Sequence, residues 1–123
     1  MSVRKSDDFI ADVERQFAWY VANADWVVAD RYLEAVEATC GLLGQHPHLG
    51  PRGGFVHPRL RDWRFFLVFR PFKRHILFYE LAGGDVVMPR AIHGHRDLPH
   101  RLLEPPGTAR TVSLGQFLAG ARR

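Results

Sequence analysis

The chain has little cysteine and no long apolar run. Cys40 is the one cysteine among 123 residues, which excludes an internal disulfide framework and suits a reducing compartment. No stretch contains the roughly 18 apolar residues of a membrane span. Acidic residues follow Phe9 and Ile10 at once, where a signal peptide would continue its apolar segment. The sequence therefore predicts a cytoplasmic protein with no membrane partner.

Familiar catalytic and cofactor patterns are also missing. No Ser or Cys stands in a strained turn as a nucleophile would, and Gly53-Gly54 follows no predicted strand, so it does not form a phosphate-binding loop. His93 and His95 would point the same way on a strand, but no Cys, Asp or Glu lies at ligand spacing to complete a metal site. We predict surface histidines, no metal and no cofactor.

Apolar residues recur at three- and four-residue spacing in the first third of the chain. This spacing predicts helices over 7–22 and 25–44. Ser6 is the predicted N-cap of the first helix, and Gly44 and Pro47 are predicted to end the second. The short connection makes an antiparallel αα-hairpin, whose apolar stripe needs a sheet to cover it.

The stretch 63–97 holds most of the aromatic and β-branched residues. It predicts an antiparallel meander with strands over 63–70, 75–81 and 85–93. The first strand is apolar on both faces and is expected to be central. Because Pro89 cannot donate to a ladder, we expect the third strand to lie at an edge or to carry a bulge, with its free side open to a partner.

These elements predict an α+β fold in which the αα-hairpin packs on the antiparallel sheet. Residues 1–5 could add a short edge strand, and the Gly- and Pro-rich residues 45–58 form a loop. We expect a single domain over 1–104 and a tail over 105–123, in which 113–121 could form a short helix.

The charge is divided unevenly along the chain. Residues 1–58 carry 5 basic and 8 acidic groups, whereas residues 59–101 carry 9 basic and 4 acidic ones. A basic half that bears the sheet suits nucleic acid, a nucleoprotein machine or an acidic protein partner. Arginines that only protect strand edges from aggregation are the alternative.

Six basic side chains fall on or beside the predicted sheet and are the candidate site: Arg61, Arg64, Arg70, Arg90, Arg96 and His93. Arginine suits phosphate through its planar fork, and histidine can move a proton at neutral pH. The set could cleave a ribose-phosphate backbone, with arginine stabilising the charged transition state and histidine as base or acid. It could equally pair with an acidic protein segment, which we favour.

Four short pieces occur in a recognisable order between residues 7 and 98. They are the helix exit from Leu43 to Gly50, Leu60-Arg61, Phe78-Tyr79, and the closing Arg-x-x-His-Gly-x-Arg-Asp of residues 90–97. In order and spacing the chain resembles the ParE branch of the RelE/ParE toxins of bacterial type II toxin–antitoxin systems.

The resemblance implies a toxin that is neutralised by a cognate antitoxin, in a toxin–antitoxin hetero-oligomer of the kind linked to plasmid stabilisation. ParE-like members are linked to DNA gyrase, whereas RelE-like members cleave ribosome-bound mRNA. We predict gyrase inhibition by binding, with the five arginines contacting target or antitoxin. The alternatives are a ribosome-dependent mRNA endonuclease that uses His93, Arg61, Arg90 and Arg96, and a non-toxic binding module of the same fold.

Overall fold

The computed structural model describes residues 2–106, and the helix predicted over 113–121 lies outside them. The elements in chain order are β1 Val3–Lys5, α1 Asp7–Asn23, α2 Trp26–Gln45, β2 Arg64–Leu67, β3 His75–Ala82, β4 Asp85–His93 and α3 His100–Leu103. The predicted α+β architecture, with an N-terminal helical hairpin on a sheet, is confirmed.

Both long helices begin at side-chain caps. Ser6 Oγ accepts from Phe9 N at 3.0 Å, and Asp25 Oδ1 accepts from Val28 N at 2.8 Å. Each cap satisfies one backbone donor that the first helical turn leaves without a partner. The helices match the predicted ranges to within about one residue, and the predicted cap at Ser6 is confirmed.

The sheet has the strand order β1-β4-β3-β2. Residues 1–5 do contribute a strand, β1, which pairs in parallel with β4, with Val3 opposite Val86. The other two strand pairs are antiparallel. The prediction that β2 is central was wrong, because it lies at the edge. Its outer side is covered by the preceding loop, since Phe65 N donates to Pro51 O at 3.1 Å and Gly53 N donates to Trp63 O at 2.9 Å.

For β4 the prediction was an edge position or a bulge, and the structure shows the bulge in a strand that lies inside the sheet. The register with β3 shifts between Phe78 and Glu80, which places an extra residue on β4 next to Pro89. The outer side of β4 is not open to a partner, because β1 pairs with its first half. Beyond β1, the carboxylate of Asp12 accepts from Ala91 N at 3.0 Å.

Apolar side chains cover both faces of the sheet. One cluster lies between the sheet and the helical hairpin and consists of Phe9, Tyr32, Val36, Cys40, Leu43, Val68, Phe72, Leu77, Tyr79, Val86 and Met88. The other lies on the opposite face and consists of Leu60, Trp63, Ile76, Phe78, Ile92 and Leu102. Cys40 is a core residue of the first cluster, and this burial raises the pKa of its thiol to about 12. In residues 2–106 no helix has the length and apolarity to cross a membrane.

Candidate functional site

Two loops meet at one end of the sheet and carry four Lys or Arg side chains. They are the β2–β3 turn, residues 69–74, and the loop after β4, residues 93–97, and we call them the basic end. His75 pairs with His93 across β3 and β4, and Gly94 N donates to Arg74 O at 2.8 Å. Strand register and this bond therefore hold the loops side by side.

Hydrogen bonds to nearby residues of the chain hold each loop of the basic end. Phe72 N donates to Phe69 O at 2.9 Å within the turn. The guanidinium of Arg101 donates to Arg96 O at 3.0 Å and to His93 O at 3.1 Å. Gly94 has a φ of 78°, a conformation that glycine adopts without steric cost. Hydrogen bonds within the chain thus hold both loops of the basic end.

The charged side chains of the basic end are exposed. The cations are Arg70, Lys73, Arg74 and Arg96, and the exposed imidazoles are His93 and His95. Within residues 2–106 none of these four cations forms a salt bridge, and Asp97 is the single carboxylate of the two loops. This arrangement can bind a ligand with several negative charges.

The structure brings only half of the sequence-predicted set together. Arg70, Arg96 and His93 lie at the basic end, whereas Arg61 is exposed in the turn before β2. Arg64 is half-buried, and its Nη1 donates to Gly50 O at 2.7 Å. Sequence reasoning missed Lys73 and Arg74, although they stand in the predicted turn that directly follows Arg70. The paired strands that flank the turn were the signal for including them.

Arg90 corrects the predicted set, because it is not on the surface. Only 3% of it is exposed, and its Nε and Nη2 donate to the two carboxylate oxygens of Asp12 at 2.7 and 3.0 Å. Its Nη1 donates to the backbone oxygens of Arg101 and Glu104. Arg90 therefore joins α1, β4 and the C-terminal segment, and it is not available to a partner. The signal was Asp12, an acid on the apolar stripe of α1 that requires a buried counter-ion.

A buried histidine lies beneath His93. The rings of His75 and His93 are 4.7 Å apart between centroids, and Tyr20 Oη is hydrogen-bonded to His75 Nε2 at 2.8 Å. Burial, reinforced by the nearby His93, lowers the pKa of His75 to about 3. His75 is therefore uncharged at neutral pH. Residues 2–106 contain no group of three His, Cys, Asp or Glu side chains that could hold a metal ion.

The sequence matches a family profile described as "ParE toxin of type II toxin-antitoxin system, parDE" over residues 3–98. The chain belongs to the ParE toxin family. The solved structure titled "Chromosomal ParDE TA system from P. aeruginosa" is similar in fold, with a TM-score of 0.64 and 16% identity, and the match covers 77% of this chain and 97% of that chain. Comparison with curated protein sequences gave no match.

The ParE match includes all four strands, both long helices and both loops of the basic end. It also includes the helix exit from Leu43 to Gly50, which buried hydrogen bonds hold against the sheet. Tyr79 Oη donates to Pro47 O at 2.8 Å and accepts from Gly50 N at 2.8 Å. In this ParE chain Arg64 completes that contact through Gly50 O, which gives it a structural role as well.

Proposed function

We propose that this ParE-family toxin inhibits DNA gyrase by binding to it in the cytoplasm, and that a cognate antitoxin neutralises it in a hetero-oligomer. The observation that carries the proposal is the family match over residues 3–98. Arg61, Arg70 and Arg96 are exposed and suited to contact target or antitoxin, and Arg64 adds its half-buried guanidinium. Arg90 is left out because its donors are occupied inside the chain.

A second candidate is cleavage of ribosome-bound mRNA, and one observation favours it. His93 is exposed among the cations of the basic end, where an imidazole could carry a proton beside a bound phosphate. His75 lies under it, but burial lowers its pKa to about 3, so at neutral pH it neither donates a proton as a cation nor readily accepts one. Cleavage would therefore depend on His93.

The two functions are separated by comparing His93→Ala with Arg96→Glu. Inhibition by binding requires no proton transfer, so His93→Ala should leave inhibition of gyrase supercoiling nearly unchanged, while Arg96→Glu should weaken it roughly tenfold or more through lost charge complementarity. Cleavage would instead lose about 10²–10⁴ in rate in His93→Ala. Arg31→Glu, an exposed charge reversal on α2, is the matched control.

The measurements are supercoiling by purified gyrase and the integrity of ribosome-bound mRNA, each with the wild type and the three variants. Unimpaired supercoiling together with mRNA cleavage that disappears in His93→Ala would overturn the gyrase proposal in favour of the endonuclease. No effect of the wild type in either assay would leave the third alternative, a binding module without toxicity.

A further inference from the structure

The basic end carries positive charge that no salt bridge within residues 2–106 neutralises. Elsewhere in residues 2–106 several basic side chains are paired with carboxylates, as in the bridges of Arg4 with Asp85, Lys5 with Glu37 and Arg52 with Asp62, whereas Arg31, Arg59 and Arg61 are single exposed charges. The four exposed cations of the basic end, Arg70, Lys73, Arg74 and Arg96, form no such bridge there. Four like charges on two adjoining loops repel one another, and an anionic ligand would relieve this repulsion.

The helical part of the molecule is acidic, which makes the distribution of charge over the surface uneven. The helical hairpin, residues 7–45, carries eight carboxylates and two arginines. It packs on the sheet through α1 and α2, whereas the basic end lies where β2 and β4 finish. A polyanion is therefore attracted to one part of the molecule and repelled by another, which orients the protein during approach.

The side chains of the basic end indicate which polyanion fits. Single-stranded nucleic acid and protein segments are bound with help from aromatic or apolar anchors. Here the rings of Phe72 and His75 are buried in the core, with 6% and 3% exposed, so the exposed rings of the two loops are Phe69, at 39%, and the imidazoles of His93 and His95. Duplex backbone needs no such anchor, because its phosphates are met by cations alone.

We propose that the basic end of this ParE-family chain binds the phosphate backbone of duplex DNA without reading base sequence. Arg70, Arg74 and Arg96 donate from planar forks to phosphate oxygens, and Lys73 adds a point charge. The hydrogen bonds from Gly94 to Arg74 and from Arg101 to Arg96 hold the loops in place, so little loop ordering opposes binding. The inference stands on this geometry and does not depend on gyrase as the target.

The test is fluorescence anisotropy of a labelled 20-base-pair duplex titrated with the full chain at several salt concentrations. Four phosphate contacts give a slope of log K against log salt of about −3 to −4, which is about a 100-fold loss of affinity between 50 and 200 mM salt. In Arg74→Glu/Arg96→Glu the slope should fall in magnitude by about 2. Arg31→Glu/Arg59→Glu changes the net charge equally at exposed positions outside the basic end, and its slope should stay near the wild-type value.

Several outcomes would overturn the proposal. Equal losses in both double variants would assign binding to net charge and not to the basic end. Tighter binding of single-stranded DNA, of single-stranded RNA or of a glutamate-rich peptide of matched charge would show a different class of ligand. A slope of log K against log salt near zero for the wild type would also overturn the proposal, and this result does not depend on any variant. A melting curve of each variant identifies a variant that fails to fold. Because gyrase is absent from this assay, its result is independent of the supercoiling test.

Discussion

Arg90 forms a buried ion pair with Asp12 inside the fold. Both side chains are about 3–4% exposed, and the two charges are joined by two hydrogen bonds. Removing one partner from a buried pair leaves the other charge uncompensated in a medium of low polarity, which costs about 3–5 kcal/mol. The pair therefore stabilises the fold and does not contact a partner.

We therefore expect Asp12→Asn to lower the free energy of unfolding by about 3–5 kcal/mol. The control is Asp85→Asn, because the bridge of Asp85 to Arg4 is solvent-exposed and such bridges contribute below about 1 kcal/mol. Urea unfolding at neutral pH measures both. Equal small losses in the two variants would show that the Arg90 guanidinium finds other partners without Asp12.

His75 makes stability depend on pH in a defined direction. Its pKa is lowered from an ordinary value of 6.5 to about 3, so between these values the unfolded chain binds a proton that the folded chain does not. Stability is then unaffected above about pH 7 and falls as the solution is acidified. At about 1.4 kcal/mol per pH unit, the loss from this group reaches roughly 2–3 kcal/mol by pH 4.5.

The check is to compare unfolding free energies at pH 7 and pH 4.5 in the wild type and in His75→Gln. The variant can be less stable at both pH values, because it replaces a buried ring that is hydrogen-bonded to Tyr20. The difference between the two pH values should nevertheless shrink by about 2–3 kcal/mol. An unchanged difference would mean that His75 is protonated in the folded protein.

At the scale of elements, two glycines of the helical region are expected to respond oppositely to alanine. A Cβ at Gly50 would lie 2.3 Å from Phe65 O and 2.7 Å from Tyr79 Oη, and the first of these is backbone of β2 that cannot easily move. Nothing lies within 4 Å of a Cβ at Gly41, which is exposed inside α2. Gly50 is therefore required by close approach, whereas Gly41 only weakens its helix.

Gly50→Ala should destabilise the protein by more than about 2 kcal/mol, since it forces the helix exit away from β2 and breaks its bonds to Tyr79. Gly41→Ala should stabilise it by up to about 1 kcal/mol through helix propensity. Thermal or urea unfolding measures both changes. Similar melting temperatures for the two variants would mean that the exit loop moves freely.

Local patterns predicted the elements of this fold better than their neighbours in the sheet. The helices follow from apolar spacing and from the cap at Ser6, which are properties of nearby residues. The place of β4 inside the sheet depends on β1, a three-residue strand that pairs with residues more than eighty positions away. No short-range signal announces such a pairing.

The candidate site was predicted in part for the same reason. Arg70 and Arg96 were found because basic residues near strand ends are visible in the sequence. Arg90 was misjudged because its partner Asp12 lies on another element, 78 residues earlier. Lys73 and Arg74 were overlooked although the predicted meander already paired β3 with β4, because the contact between the two loops, from Gly94 N to Arg74 O, is not visible in the sequence.

For the whole molecule, the surface combines the basic end with exposed apolar side chains. Within residues 2–106, those that are large and at least 39% exposed are Ile10, Trp26, Val27, Leu49, Val56, Leu67 and Phe69. An antitoxin that covers some of them adds about 25 cal/mol for each Å² of apolar surface removed from water, and this contribution is insensitive to salt. Its contacts to exposed arginines are screened by salt.

We therefore expect the protein encoded beside this gene to raise the melting temperature of the toxin and to bind it with an affinity that weakens with salt but does not vanish. The salt effect should lie mainly in the association rate, because exposed charges steer the encounter whereas buried apolar contacts set the lifetime of the complex. Surface plasmon resonance at low and high salt measures the association and dissociation rates separately, and Arg61→Glu should reduce both the association rate and its salt dependence.

Two outcomes would contradict this expectation. An affinity that is the same at both salt concentrations would show that the arginines are not in the interface. A melting temperature that the neighbouring protein leaves unchanged would show that this protein is not the antitoxin.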